Sequence, residues 1–184
     1  ANNYIIENFD PEVLREYDIR GVVGKNINEN TAYTIGRTFG QTIKSKLASH
    51  NIVTGYDGRL TSPNLHKALR AGLKDSGVKV INIGMGPTPM TYFAHYYLDA
   101  DAAIMVTGSH NPSEYNGFKM VFNKHSFFAE DIQSLQKLIE DKRLELLEGQ
   151  IINQDITNEY IDRNLLNIKL KRKLKIAWDP GNGA

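Results

Sequence analysis

The spacing of apolar positions divides the chain into alternating strand-like and helix-like segments. Residues 17–23 read as a short strand, with Gly21 and Gly24 loosening the backbone before the next element. Residues 31–47 then carry Tyr33, Ile35, Phe39, Ile43 and Leu47 at close to a helical period. A second apolar run of strand length covers residues 51–56, and Asp57-Gly58-Arg59 reads as a tight turn after it. Thr61-Ser62-Pro63 is a helix start, a hydroxyl cap followed by proline in the first turn, and Gly77 is its stop. Residues 78–83 form a third strand, 84–89 a loop, 90–98 a helix and 100–106 a fourth strand. After a polar, turn-rich stretch at 107–116, a strand resumes at 117–122, and 130–141 is an amphipathic helix.

Strands that alternate with helices predict an α/β fold, a three-layer α/β/α sandwich on a mixed, mostly parallel sheet. The strand at 117–122 follows its predecessor without a crossover helix, so one antiparallel strand is expected. The tail has another character. Residues 156–168 read as a linking helix, 169–175 as a basic, solvated stretch, and 174–178 as a strand. That strand runs into Asp179-Pro180-Gly181-Asn182-Gly183-Ala184. The expected division is therefore a domain at 1–153, followed at 154–184 by a linker helix and the first strand of a truncated second domain.

Composition changes this picture little. A hydrophobic share of 41% and a charged share of 23% in 184 residues are ordinary for a globular protein with one good core. The net charge of +1 supplies no global field toward nucleic acid or an anionic membrane, so anion binding has to be local. The absence of cysteine removes disulfides, thiolate nucleophiles and zinc–thiolate sites. No apolar run approaches the roughly 20 residues that span a bilayer. A cytoplasmic protein without membrane or nucleic-acid partners is expected. His50, His66, His95 and His125 show no metal-site spacing, and Gly84-Met85-Gly86-Pro87-Thr88-Pro89 lacks the lysine of a P-loop.

Chemistry concentrates in Val106-Thr107-Gly108-Ser109-His110-Asn111-Pro112. An apolar strand ends there, and open α/β sheets gather ligands beyond the carboxyl ends of their strands. Gly108 permits angles closed to other residues, and Pro112 restrains Asn111, so Ser109 and His110 are expected on a stiff, exposed loop. A serine hydroxyl suits phosphoryl transfer, which depends on positioning and on neutralising oxygen charge. A phosphoserine carries about −1.5 to −2 charges and needs cations nearby. Arg20 and Lys119 are the candidates, one a planar fork and the other able to release a proton. Taken singly, each residue also has an ordinary reading. Ser109 and His110 serve as turn residues elsewhere, Lys119 as a solvated lysine, and Arg20 as half of a surface ion pair.

Taken jointly, the segments resemble the α-D-phosphohexomutase family, in its phosphomannomutase/phosphoglucomutase branch. Tyr17-Asp18-Ile19-Arg20-Gly21 is similar to its early motif, and Thr107 to Pro112 with Tyr115-Asn116-Gly117-Phe118-Lys119 to its phosphoserine loop. Asp179 to Ala184 is similar to the opening of its second domain. Leu14 departs from the phenylalanine usual in this branch, a conservative apolar change. The resemblance implies a fold like domain 1 of phosphoglucomutase. It also implies that Ser109 is phosphorylated and exchanges its phosphate with a hexose 1- or 6-phosphate through a hexose 1,6-bisphosphate. Tyr17 and Arg20 are then substrate contacts, Arg20 and His110 steady the phosphoryl group, and Lys119 takes part in proton transfer. A phosphoserine oxygen on Ser109 is implied to ligate Mg²⁺, whose aspartate ligands lie in the family's second domain. The sugar loop and a further phosphate loop lie in its third and fourth domains. Those remaining domains are the implied partners, and this polypeptide alone is expected to have little mutase activity and to bind Mg²⁺ poorly. A non-catalytic phosphosugar-binding module and an interaction fragment with Ser109 as a turn residue are the competing readings.

Overall fold

A computed structural model describes residues 3–179 and Gly181. Its strands are β1 (Ile19–Val22), β2 (Asn51–Tyr56), β3 (Lys79–Met85), β4 (Ala102–Val106), β5 (Tyr115–Phe122), β6 (His125–Ser126) and β7 (Gln150–Asn153). Its helices are α1 (Glu29–Lys46), α2 (Ser62–Asp75), α3 (Thr88–Tyr97), α4 (Glu130–Glu140) and α5 (Thr157–Leu165). The strands form one sheet in the order β1-β5-β4-β2-β3-β7, with β6 paired to β5. β2 runs parallel to β3 and β4, and β3 parallel to β7. β5 runs antiparallel to β1, β4 and β6, so among the described residues it is the one reversed strand.

The expected three layers follow from alternation along the buried strands. Ile52, Ala102, Ile104, Val106 and Phe118 point into a core shared with Ile35, Phe39, Leu69 and Ile132 of α1, α2 and α4. Val53, Ile81 and Ala103 point the other way, onto Met90 and Ala94 of α3 and onto Ile156 beside α5. α1 begins with a reciprocal cap in which Asn28 Oδ1 accepts from the Thr31 amide and Thr31 Oγ1 accepts from the Asn28 amide. It crosses α2 at glycines on both sides. A Cβ at Gly36 would overlap the Leu69 carbonyl and lie 2.7 Å from the Leu73 amide, and one at Gly72 would overlap the Tyr33 carbonyl. The two backbones touch where no side chain fits between them.

Three expectations need correction. Residues 174–178 form no strand; they are exposed and without ladder partners among the described residues. A strand exists only through its neighbour's hydrogen bonds, and alternation alone does not supply one. β7 and β6 were not expected, the first being four residues long and the second two. β3 extends to Met85 through a bulge against β2, which shortens the expected loop before α3. Of the motif at 179–184, Pro180 and Asn182 to Ala184 lie outside the described residues. Among the described residues no helix is long and apolar enough to cross a membrane.

Candidate active site

Because β2 and β4 are parallel neighbours, their carboxyl ends lie side by side, with Tyr56 opposite Val106. The chain leaving β2 and the chain leaving β4 therefore meet, and the Asp57 amide donates to the Val106 carbonyl at 3.0 Å. Asp57 then organises the junction. Its Oδ2 accepts from Thr107 Oγ1 at 2.9 Å and from the Gly108 amide at 3.1 Å. Its Oδ1 accepts from Ser62 Oγ at 2.5 Å and from the Arg59 amide at 3.2 Å. Four donors saturate this carboxylate, which leaves it no lone pair to spare for a metal.

Arg59 binds the same loop from the other side. Nη1 donates to the carbonyls of Pro112 (2.7 Å) and Tyr115 (3.1 Å). Nη2 donates to those of Ser109 (3.0 Å) and Asn111 (2.7 Å), and Nε pairs with Asp57 at 3.4 Å. The Asn111 side chain adds a bond to the Gly108 carbonyl, and Asn116 Nδ2 reaches Thr61 Oγ1 and Ser62 Oγ, both at 2.9 Å. The start of β5 is thereby fastened to the start of α2.

Within this frame Ser109 is exposed and has φ +55°. The left-handed residue of the loop is the serine, not Gly108 as its sequence position had indicated. Gly108 serves a different need. A Cβ there would overlap the Arg59 guanidinium, lying 2.7 Å from Nη1 and closer to Cζ. The Ser109 amide donates to Thr107 Oγ1 at 2.9 Å, and Ser109 Oγ lies 3.2 Å from His110 Nδ1, also at the surface. Ser109 and His110 are thus brought together on an exposed, pinned tip.

Arg20 lies on β1 with Gly117 of β5 as its ladder partner. Asp18 Oδ2 holds its Nη2 at 2.6 Å and its Nε at 3.1 Å, and Nη1 is 3.5 Å from Asn111 Oδ1 of the serine loop. Lys119 projects from the face of β5 opposite Phe118 and Met120. With Tyr17, Asp18 and Arg20 it lines a cavity of about 280 Å³, so three of the expected residues share one recess. A second cavity, of about 390 Å³, also has Tyr17 and Lys119 in its wall, together with Tyr92, His95 and Lys124. Tyr17 is 69% exposed and stacks on Phe128. Hydrogen bonding to the Glu16 carboxylate, and then that carboxylate's charge, raise the Tyr17 phenol above its ordinary range. Among the described residues no three His, Cys, Asp or Glu side chains are grouped to hold a metal ion.

Sequence reasoning read Asp57-Gly58-Arg59 only as a tight turn and gave Asn116 no role beyond its place in the loop motif. A charged turn at the end of an apolar strand was the available signal, but its partner lies some 50 residues on, at Thr107 and Ser109.

Fold and loop together define a three-layer α/β/α domain that presents a serine hydroxyl at the carboxyl ends of its central strands, on a loop whose backbone one arginine braces and whose Asn111 another touches. Residues 11–145 match the family described as phosphoglucomutase/phosphomannomutase, alpha/beta/alpha domain I, and the chain belongs to that family. It is 40% identical over 178 residues to a phosphoglucomutase of Neisseria meningitidis, covering 96% of this chain and 38% of that protein. A phosphomannomutase/phosphoglucomutase of Pseudomonas aeruginosa is also 40% identical, over 93% of this chain and 37% of its own length. A solved phosphoglucomutase/phosphomannomutase family structure from Burkholderia thailandensis superimposes with a TM-score of 0.83 at 40% identity, over 89% of this chain and 37% of that one. The chain thus spans under two-fifths of the length of these relatives.

Proposed function

We propose that this chain is the phosphoserine domain of a phosphohexomutase, an isomerase that interconverts hexose 1-phosphate and hexose 6-phosphate of mannose, glucose or both. The observation that carries the reading is the exposed Ser109 hydroxyl in left-handed backbone, on a loop that Arg20 touches at Asn111. Residues 1–153 form the domain, and 154–184 lead toward the remaining domains of a longer cytoplasmic enzyme.

Phosphoserine 109 donates its phosphoryl group to the free hydroxyl of a hexose phosphate. One P–O bond to serine breaks as one to the sugar forms, giving the hexose 1,6-bisphosphate. Arg20, aimed by Asp18, neutralises charge on the moving oxygens, and His110 steadies them. The sugar hydroxyl loses one proton as the departing Ser109 oxygen gains one, with Lys119 as the partner in that exchange, and Tyr17 contacts the sugar. After the bisphosphate reorients, the reverse transfer returns its other phosphate to Ser109. The residues here fit Mg²⁺ only as a minority partner. A phosphoserine oxygen is the one ligand they offer, Asp57 being saturated, and the other domains complete the set. When bound, the ion supplies Lewis-acid stabilisation of the transferring group.

The test is intact-mass and peptide analysis of the full-length enzyme after incubation with glucose 1,6-bisphosphate. One phosphate on Ser109 is expected, and Ser109→Ala is expected to lose both the phosphate and mutase turnover. Full turnover by Ser109→Ala overturns the reading. Binding of sugar phosphate with no serine phosphate ever formed turns it into a non-catalytic phosphosugar-binding module.

A further inference from the structure

The geometry points to Arg59 as a positioning residue for the phosphoryl-carrying serine, one that holds the loop and does not bind the substrate's phosphate; this rests on the mutase reading above. An arginine at the carboxyl end of a parallel strand, beside a serine loop, is in the place expected of an anion ligand. Its bonding assigns it otherwise. A guanidinium has five N–H donors, and the four on its Nη atoms are all taken here. They go to the carbonyls of Ser109, Asn111, Pro112 and Tyr115, while Nε faces the Asp57 carboxylate as an ion pair at 3.4 Å. Neither Nη atom has a donor left for a phosphate.

Two consequences follow for Ser109. Its left-handed conformation costs energy and persists only where the surroundings over-determine it. Both of its main-chain polar groups are tied, the amide to Thr107 Oγ1 and the carbonyl to Arg59 Nη2. The conformation is therefore imposed from Asp57 and Arg59, since Asp57 in turn holds Thr107. The second consequence is electrostatic. Four carbonyl oxygens of a short loop carry partial negative charge that would repel a phosphoserine dianion. Arg59 draws all four to one cation, where their charge is already answered.

Gly108 fits the same scheme, because its bare Cα leaves the guanidinium room to lie against the backbone. Lysine cannot replace this arginine. A single ammonium with three donors cannot reach four carbonyls and a carboxylate at once.

The experiment measures single-turnover phosphorylation of the full-length enzyme by glucose 1,6-bisphosphate, with wild type, Arg59→Ala and Arg59→Lys compared by intact mass. Loss of folded protein lowers the amplitude of phosphate uptake, whereas a misplaced serine lowers its rate constant. Both variants are expected to show a rate constant down about 100-fold, the effect of roughly 1 Å of misplacement at a reacting centre. Methylguanidinium is expected to restore part of the rate constant in Arg59→Ala. Should that variant fail to fold, Arg59→Lys, which keeps the stem and the charge, carries the test alone. A rate constant within threefold of wild type in either folded variant overturns the inference. A wild type that takes up no phosphate overturns instead the mutase reading on which it stands.

Discussion

Replacing Ser109 by glycine and by alanine separates what the serine costs the fold from what it does. At φ +55° an L-residue stands about 1–2 kcal/mol above its preferred conformations, through contact of Cβ with the neighbouring carbonyl. Alanine retains that Cβ and the strain. Glycine relieves it, but adds freedom to the unfolded chain worth about 0.4–1 kcal/mol. The serine side chain is exposed and its bond to His110 is a surface contact, so its loss costs little. Ser109→Gly is therefore expected to be more stable than Ser109→Ala by about 1 kcal/mol. For a domain of this size, that raises Tm by about 2–4 °C. Circular-dichroism melts of the two variants and wild type, at equal concentration and pH, read this directly. A glycine variant that melts at or below the alanine variant refutes the argument, because the left-handed backbone would then carry no strain for glycine to relieve. Both variants lose the hydroxyl, and on the proposed reading both are expected to lose phosphate uptake in the full-length enzyme whichever of them is more stable.

His66 makes the fold sensitive to acid. Burial, and secondarily the nearby charge of Arg70, lower its pKa from 6.5 to about 3, and its Nε2 lies 3.0 Å from Thr54 Oγ1. The unfolded chain takes up a proton below pH 6.5 that the folded chain refuses, so this stability is complete above 6.5 and falls as pH drops toward 3. At pH 5 the loss is about 2 kcal/mol, from 1.36 kcal/mol per pH unit. Urea midpoints at pH 7.5 and 5.0 are expected to diverge more for wild type than for His66→Gln, and equal acid sensitivity would sink the assignment. At the crossing of α1 and α2, Gly72→Ala drives a Cβ into the Tyr33 carbonyl and to 3.0 Å from the Arg37 amide. Overpacking of about 1–3 kcal/mol is expected to exceed the helix-propensity gain of about 1 kcal/mol, so the melting temperature falls. A rise in melting temperature would mean that the helices separate freely.

What could be read from sequence was whatever one stretch of chain determines by itself. The helical period through Tyr33, Ile35, Phe39 and Ile43 reports burial against one core, and α1 lies where that period placed it. The single reversed strand followed from the short return between 106 and 115, which leaves no length for a crossover. β7 was invisible for the complementary reason. Gln150–Asn153 is a strand only because β3 offers it an edge, and of its two isoleucines only Ile152 packs against the core below α3. Residues 174–178 show the same principle with the opposite outcome, alternating but unpaired among the described residues. At the site, Thr107 to Pro112 is contiguous and so was legible. The brace of Asp57 and Arg59 depends on β2 and β4 being neighbours, which is a property of the sheet and of no local segment.

The two arginines at this end of the sheet differ in partners more than in position, and that difference decides which of them meets an incoming anion. Arg59 has all four Nη donors bonded to loop carbonyls and its Nε against Asp57, with its side chain 15% exposed, so a phosphate at either Nη would have to break bonds to the serine loop before gaining any. Arg20 is 29% exposed, is held along one edge by Asp18, and has at Nη1 only a 3.5 Å contact with Asn111. A dianion arriving there gives up one long hydrogen bond and gains a charge-assisted one, and such bonds are about twice as strong as neutral ones. On the proposed mutase reading the loop can therefore stay fixed while charge moves across it, because the cation that holds the backbone and the cation offered to the phosphate are separate residues.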